Sequence, residues 1–173
     1  MVDSDDDALV DFLLAGGFVC KRKCYEVEAF ADDYIGDLSD TQLFRCSVGK
    51  PDYDDCCSLM YRYYVDTHKS INPWTSDYAA FCSVLPDNVV YGRCGNQIAA
   101  LAFVEDNEIA YVSGTEKKYF FHFAKSLISS ILTQYESIFF EADDCDWAAM
   151  MLRSLFENQD DTSYDTYILG DTP

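Results

Sequence analysis

The hydrophobic pattern is sharpest between residues 89 and 114. Three apolar runs, "VVYGRCG", "QIAALAFVED" and "EIAYVSG", are separated by the turn residues Gly95–Asn96 and by Asn107. Short runs at this spacing, divided by Gly and Asn, predict an antiparallel three-strand meander. Over residues 117–133 the period lengthens. Phe120, Ala124, Leu127, Ile128 and Ile131 share one face of a helix, and His122, Lys125, Ser129 and Thr133 the other. "ESIFFEAD" reads as a buried strand. "DDCDWAAMMLRSLFE" reads as a second amphipathic helix, capped by Asp143 or Asp144 with Trp147, Met151 and Leu155 inward. "YDTYIL" closes as a strand.

The first half patterns less cleanly. "SDDDALVDFLLAGG" predicts a helix capped by Ser4 or Asp5, acidic in its first turn and stopped by Gly16–Gly17. "FVCKRKCYEV" follows as a strand carrying the basic cluster of the chain. Residues 30–58 are rich in Asp, Gly and Ser, and short helices are expected around "DTQLFRC" and "CCSLMYRYYV". "TSDYAAFCSVL" predicts a capped helix ended by Pro86. The whole is expected to be one α+β domain over residues 1–173, a mixed β-sheet flanked by helices. Residues 1–85 form its divergent part and 86–170 a β-β-β-α-β-α-β core.

Composition narrows the function classes. Hydrophobic residues make up 49% of the chain, with twelve Phe and thirteen Tyr, which excludes wholesale disorder. No apolar run approaches the roughly 20 residues of a membrane span, and the acidic start "MVDSDDDALVDF" is unlike a secretion signal. A cytoplasmic location follows as the expectation. Twelve Lys and Arg against thirty-one Asp and Glu leave a formal charge of −19, a surface that repels phosphate backbones and anionic membranes. Direct nucleic-acid and membrane binding are therefore not expected; a DNA-mimicking inhibitor is the one nucleic-acid-related alternative. The eight cysteines lack the C-x2-C spacing of a zinc knuckle and accompany only two histidines. Reduced thiols and no metal site are the expectation.

Candidate chemistry gathers in two stretches. "SGTEKKYF" is a strand–turn–helix junction whose backbone amides could face an anion at a helix start; Ser113, Gly114, Thr115, Lys117 and Lys118 are its candidate cofactor-binding residues. "SLMYRYYVDTHKSINPWTSDYAAF" combines large apolar faces with polar tips, so Tyr61, Tyr63, Tyr64, Trp74 and Tyr78 are candidate partner-binding residues or, equally, core. His122, beside Lys118 and Lys125, reads as a solvent-facing histidine. Glu105 and Glu108 read first as a polar hairpin turn.

The strand–turn–helix within β-β-β-α-β-α-β resembles the GCN5-related N-acetyltransferase (GNAT) fold. "SGTEKKYF", then "LTQYESIFF", then a helix after a polar turn, is similar to the small GNAT-like internal virion proteins of T7-like podophages. The resemblance covers about a quarter of the chain. It implies an acyl-CoA pyrophosphate site at the turn, written Arg/Gln-x-x-Gly-x-Gly/Ala in active members, and a tyrosine general acid in the helix after the fifth strand. Here the turn holds Gly114 alone, Glu116 opposes phosphate, and Leu152 stands where the tyrosine would be. Tyr164 and Tyr167 are the nearest substitutes. The resemblance therefore implies a phage-encoded protein without acetyl transfer and with no cofactor. It would bind a protein partner, as a virion component or a host-factor inhibitor in the host cytoplasm. The alternative is a divergent acyltransferase using acetyl-CoA or CoA.

Overall fold

The computed structural model describes residues 1–37, 39–71 and 77–170. Their strands join one mixed sheet, and the predicted meander is its centre: β4 (Asn88–Cys94), β5 (Gln97–Glu105) and β6 (Glu108–Gly114), each pair antiparallel. Gly95 (φ 62°) and Asp106 (φ 52°) supply the left-handed backbone at the two turns. Along β5, Ala100, Ala102 and Val104 face one core while Leu101 and Phe103 face another. A strand buried on both faces has no polar alternation, which is why "IAALAFV" is unbroken.

The N-terminal half supplies both flanks of the sheet. The long strand β2 (Phe18–Phe30) lies between β7 (Ser137–Asp143) and β8 (Tyr164–Leu169), antiparallel to each. The two-residue β1 (Val2–Asp3) covers only the Tyr164–Asp165 end of β8. On the opposite side β3 (Phe44–Ser47) pairs with β4. The order across the sheet is β1-β8-β2-β7-β6-β5-β4-β3.

Helices α2 (Pro51–His68) and α3 (Tyr78–Cys82) cover one face, burying Tyr53, Cys56, Cys57, Met60 and Phe81 against Val89, Tyr91, Leu101 and Phe103. Helices α4 (Lys117–Leu132) and α5 (Trp147–Arg153) cover the other with Phe120, Phe123, Leu127, Ile128 and Leu152. Among the described residues no helix is long and apolar enough to cross a membrane.

Several expectations are corrected. The helix α1 (Asp7–Ala15) is capped by Asp6, whose carboxylate accepts from Leu9 N, because Ser4 is held by Ser163 through backbone and side chain. The helix expected around "DTQLFRC" is β3; Phe44 stacks on Tyr91 at 5.5 Å, and edge pairing overrides local propensity. The short helix expected at "CCSLMYRYYV" is part of the 18-residue α2, announced by Pro51 at its first turn with Asp52 and Asp54 beside it. The helix expected up to Pro86 stops at Cys82. Asp143 and Asp144 do not cap α5; Asp146 does, accepting from Ala148 N and Ala149 N. That later start leaves Trp147 and Met151 half-buried and turns Ala148, Ala149 and Leu152 fully inward. Lys125 is 7% exposed rather than solvent-facing, because the segment before β3 crosses α4, with Ser39 O accepting from Ser126 Oγ and Asp37 3.8 Å from the Lys125 ammonium.

One ion pair ties α2 to the meander. Asp52 accepts from Arg93 Nη2 at 2.9 Å and from the Tyr91 hydroxyl, and these hydrogen bonds hold its carboxyl below the ordinary value. A depressed carboxylate contributes stability above its unfolded value of about 3.9 and loses it as pH falls through the folded value. Asp52→Asn is therefore expected to lower the urea midpoint at pH 7 and to leave it nearly unchanged at the acid end. An equal loss at both ends of a pH series would contradict this.

Candidate functional site

The sheet has a weak seam between β6 and β7. β6 and β7 run parallel, and their pairing consists of Glu108 with Phe139 and Ile109 with Phe140; beyond Ile109 they are unpaired. Side chains from both helical layers meet in this gap and surround a cavity of about 170 Å³. Met60, Tyr64 and His68 of α2 line one side, Ala149 and Leu152 of α5 the other, and Arg22, Glu141, Asp143 and Asp146 supply its polar wall.

At the turn end the gap is plugged. The Tyr63 hydroxyl donates to Asp146 Oδ1 at 2.5 Å, and its ring meets Trp147 edge-on at 5.9 Å. Trp147 in turn packs edge-on against Phe120 at 5.4 Å. A Cβ on Gly114 would lie 2.9 Å from Phe120 and 3.0 Å from Trp147, so glycine is needed there for packing, not for ligand access. Burial and the neighbouring Asp146 push the Tyr63 hydroxyl well above its ordinary value. It is a fixed hydrogen-bond donor, unsuited to proton transfer near neutral pH.

The polar wall is a linked cluster. Asp143 Oδ2 is 2.8 Å from His68 Nε2 and 3.1 Å from Arg22 Nη1. Burial opposes the charge on Asp143, yet the His68 hydrogen bond and Arg22 hold its carboxyl below the ordinary value. Burial raises Glu141, reinforced by Asp143 and Glu26. Burial likewise raises Asp146, against the hydrogen bonds from Tyr63, Ala149 and Ala148. Burial and the adjacent carboxylates push the Cys145 thiol up to about 11.

The candidate cofactor residues lie together at the β6–α4 junction. Ser113 is buried, and its hydroxyl has no hydrogen-bond partner among the described residues. The Thr115 amide and hydroxyl both go to Ala99 O, at 2.9 and 3.2 Å, which takes that amide out of any anion cradle. Lys117 and Lys118 are exposed, with the Lys117 ammonium 5.7 Å from the centre of the Trp147 ring. Glu116 occupies the cap position with no side-chain hydrogen bond to the helix. Beside this junction an open groove of about 660 Å³ runs between α2 and the β4–β5 hairpin, with Arg62 and Arg93 along it and Thr115 at its end.

The candidate partner residues divide. Tyr61 meets Tyr78 and Phe81 at 5.3 and 5.5 Å, and Tyr64 meets Phe81 at 5.1 Å, forming one aromatic cluster under α2 and α3. Tyr63 belongs instead to the plug. Tyr78 is 43% exposed, and Trp74 lies outside the described residues. His122, Glu105 and Glu108 are exposed. Tyr164 and Tyr167 lie on β8, separated from β7 by β2, and neither lines the cavity.

No family model matches the chain, and no curated protein sequence matches it. Among solved structures it is similar to a GCN5-related N-acetyltransferase from Sphaerobacter thermophilus, with a TM-score of 0.50 and 7% identity over 96% of this chain. The fold is GNAT-like. The chain spans 56% of the length of that protein. On the GNAT-like frame Leu152, 1% exposed, forms part of the cavity wall from the helix after β7, the helix in which the sequence resemblance expects a tyrosine acid.

What the sequence did not reveal is the His68–Asp143–Arg22 cluster. Its members lie 75 and 121 positions apart and are joined only by the sheet order and the end of α2. His68 terminating an aromatic helix was the available signal.

Proposed function

We propose that this chain is a GNAT-like protein of phage origin that works by binding a protein partner, inside the virion or on a host factor, without transferring acyl groups. The observation that carries the reading is the small, plugged gap between β6 and β7. The cavity there, about 170 Å³, falls below the ~300–1,000 Å³ of ordinary small-molecule sites. Its turn end is plugged by Tyr63, Trp147 and Phe120, and Leu152 offers no proton. A partner-binding role draws support from α1: it is apolar over most of its surface, buries no residue, and leaves Leu9, Phe12 and Leu14 exposed. An apolar helix without cover marks an interaction surface.

The acyltransferase alternative draws on a different observation, the open groove ending at Thr115. Titration calorimetry with acetyl-CoA and CoA separates the two. No heat is expected up to millimolar ligand. Saturable micromolar binding, abolished by Lys117→Glu/Lys118→Glu, would establish the acyltransferase reading instead.

A further inference from the structure

Two residues after Asp143, the chain brings Cys145 to the same cluster. A ring nitrogen of His68, a carboxylate oxygen of Asp143 and the Cys145 sulfur all lie within 4.8 Å of one another. In a tetrahedral site with bonds of about 2.0–2.3 Å, such ligand atoms sit roughly 3–4 Å apart.

His68 Nδ1 lies 2.8 Å from Thr67 Oγ1 and 3.1 Å from Tyr64 O. A carbonyl can only accept, so the neutral tautomer that satisfies Tyr64 O carries its proton on Nδ1, with the Thr67 hydroxyl proton directed to Tyr63 O or Tyr64 O at 3.0 and 3.2 Å. Nε2 presents a lone pair, and it faces Asp143 Oδ2 at 2.8 Å. A lone pair against a carboxylate requires a cation between them, either a second proton or a metal ion.

Three features favour the metal. Asp143 Oδ1 is buried and has no hydrogen-bond partner at ordinary distance among the described residues, although the Cys24 thiol faces the same carboxyl, so a proton on His68 leaves Oδ1 without a strong donor. Cys145 adds a sulfur at the same point, among Asp143, Asp144 and Asp146, with the Arg22 guanidinium beside them. Arg22 is itself anchored on Thr166 Oγ1, at 3.3 and 3.1 Å, and engages only Oδ2, which leaves Oδ1 to a ligand.

We propose that His68 Nε2, Asp143 Oδ1 and Cys145 Sγ bind one zinc-type divalent ion, whose fourth position opens into the cavity between β6 and β7. One nitrogen, one oxygen and one sulfur suit a borderline ion such as zinc, and three protein ligands with an open position is the arrangement of reactive zinc sites. The Nδ1–H held by Thr67 and the Tyr64 carbonyl is the outer support that orients a ligating imidazole. On binding, the Cys145 S–H bond breaks, sulfur keeps the electron pair as the thiolate ligand, and the proton leaves to solvent. No group changes oxidation state. The proposal is independent of acyl-CoA binding and stands whichever reading of the groove holds.

Chelator-treated protein titrated with Co2+ tests it. The expected result is an equimolar visible spectrum of low-symmetry cobalt with a thiolate-to-cobalt band, displaced by Zn2+. Cys145→Ser removes the thiolate band and His68→Asn weakens binding at least tenfold, while Cys94→Ser, in the exposed hairpin, leaves the spectrum unchanged. X-ray absorption of the zinc-loaded wild type reads the same ligands without any substitution, and one sulfur is expected. Absence of a cobalt spectrum, a thiolate band that survives in Cys145→Ser, or a zinc shell with no sulfur or several would each overturn the assignment.

Discussion

Phe120→Ala is expected to cost about 3–5 kcal/mol of folding stability, the range for truncating a buried aromatic. Phe120 is fully buried and stands where three elements meet. Its ring lies 6.0 Å from Phe123 and 5.4 Å from Trp147, and a Cβ added at Gly114 would lie 2.9 Å from its own Cβ. The void cannot collapse cheaply, because α4 is held to the sheet by Leu127 and Ile128 and α5 by Leu152. Against a typical total of about 5–15 kcal/mol, the loss takes a large share of the protein's stability. Guanidinium unfolding followed by Trp fluorescence checks it. A loss under about 1 kcal/mol would mean that the junction repacks and that the plug is not rigid.

Asp146→Ala is expected to cost about 2–4 kcal/mol from two sources. It removes the α5 cap, typically about 1 kcal/mol. It also strands the Tyr63 hydroxyl, whose half-buried donor then lacks its acceptor, at about 1–3 kcal/mol. Ala148 N and Ala149 N lie 2.9 and 3.1 Å from the same oxygen that receives Tyr63, so one carboxylate joins α2 to α5 across the gap. The two sources separate in a double-mutant cycle with Tyr63→Phe. With the hydroxyl already absent, Asp146→Ala is expected to cost only the cap, giving a coupling of about 1–3 kcal/mol. Additive losses would show that Tyr63 finds another acceptor and that the plug does not depend on Asp146.

The elements legible in the sequence were those whose pattern reflects local geometry. The meander announced itself through unbroken apolar runs and turn residues, and α4 through a stripe that is buried as expected at Phe120, Ala124, Leu127, Ile128 and Ile131. What escaped depends on distant partners. β3 is a strand because β4 offers an edge, Lys125 is buried because another segment crosses α4, and Ser4 fails to cap α1 because Ser163 claims it. The site shows the same division. The β6–α4 junction and Leu152 were visible as motif positions. The plug and the His68–Asp143–Cys145 group were not, since each joins α2 to the stretch from the end of β7 to the start of α5, with Phe120 of α4 completing the plug, and these elements share no sequence signal.

The position of β2 has a consequence for how the chain reaches this structure. Both of its neighbours, β7 and β8, lie in the last quarter of the sequence. During synthesis the chain makes its longest strand early and must hold it with two open edges until residues 137–169 exist. Local elements such as the meander and α2 can form as they emerge, but that half of the sheet cannot. Pairings so distant in sequence carry a high loop-closure cost and slow folding. Lys21, Arg22 and Lys23, with Glu26 and Glu28, place charge along the waiting strand, and charge on an open edge discourages pairing with the wrong chain. The basic cluster that stood out in an acidic sequence thus also serves the interval before the sheet closes.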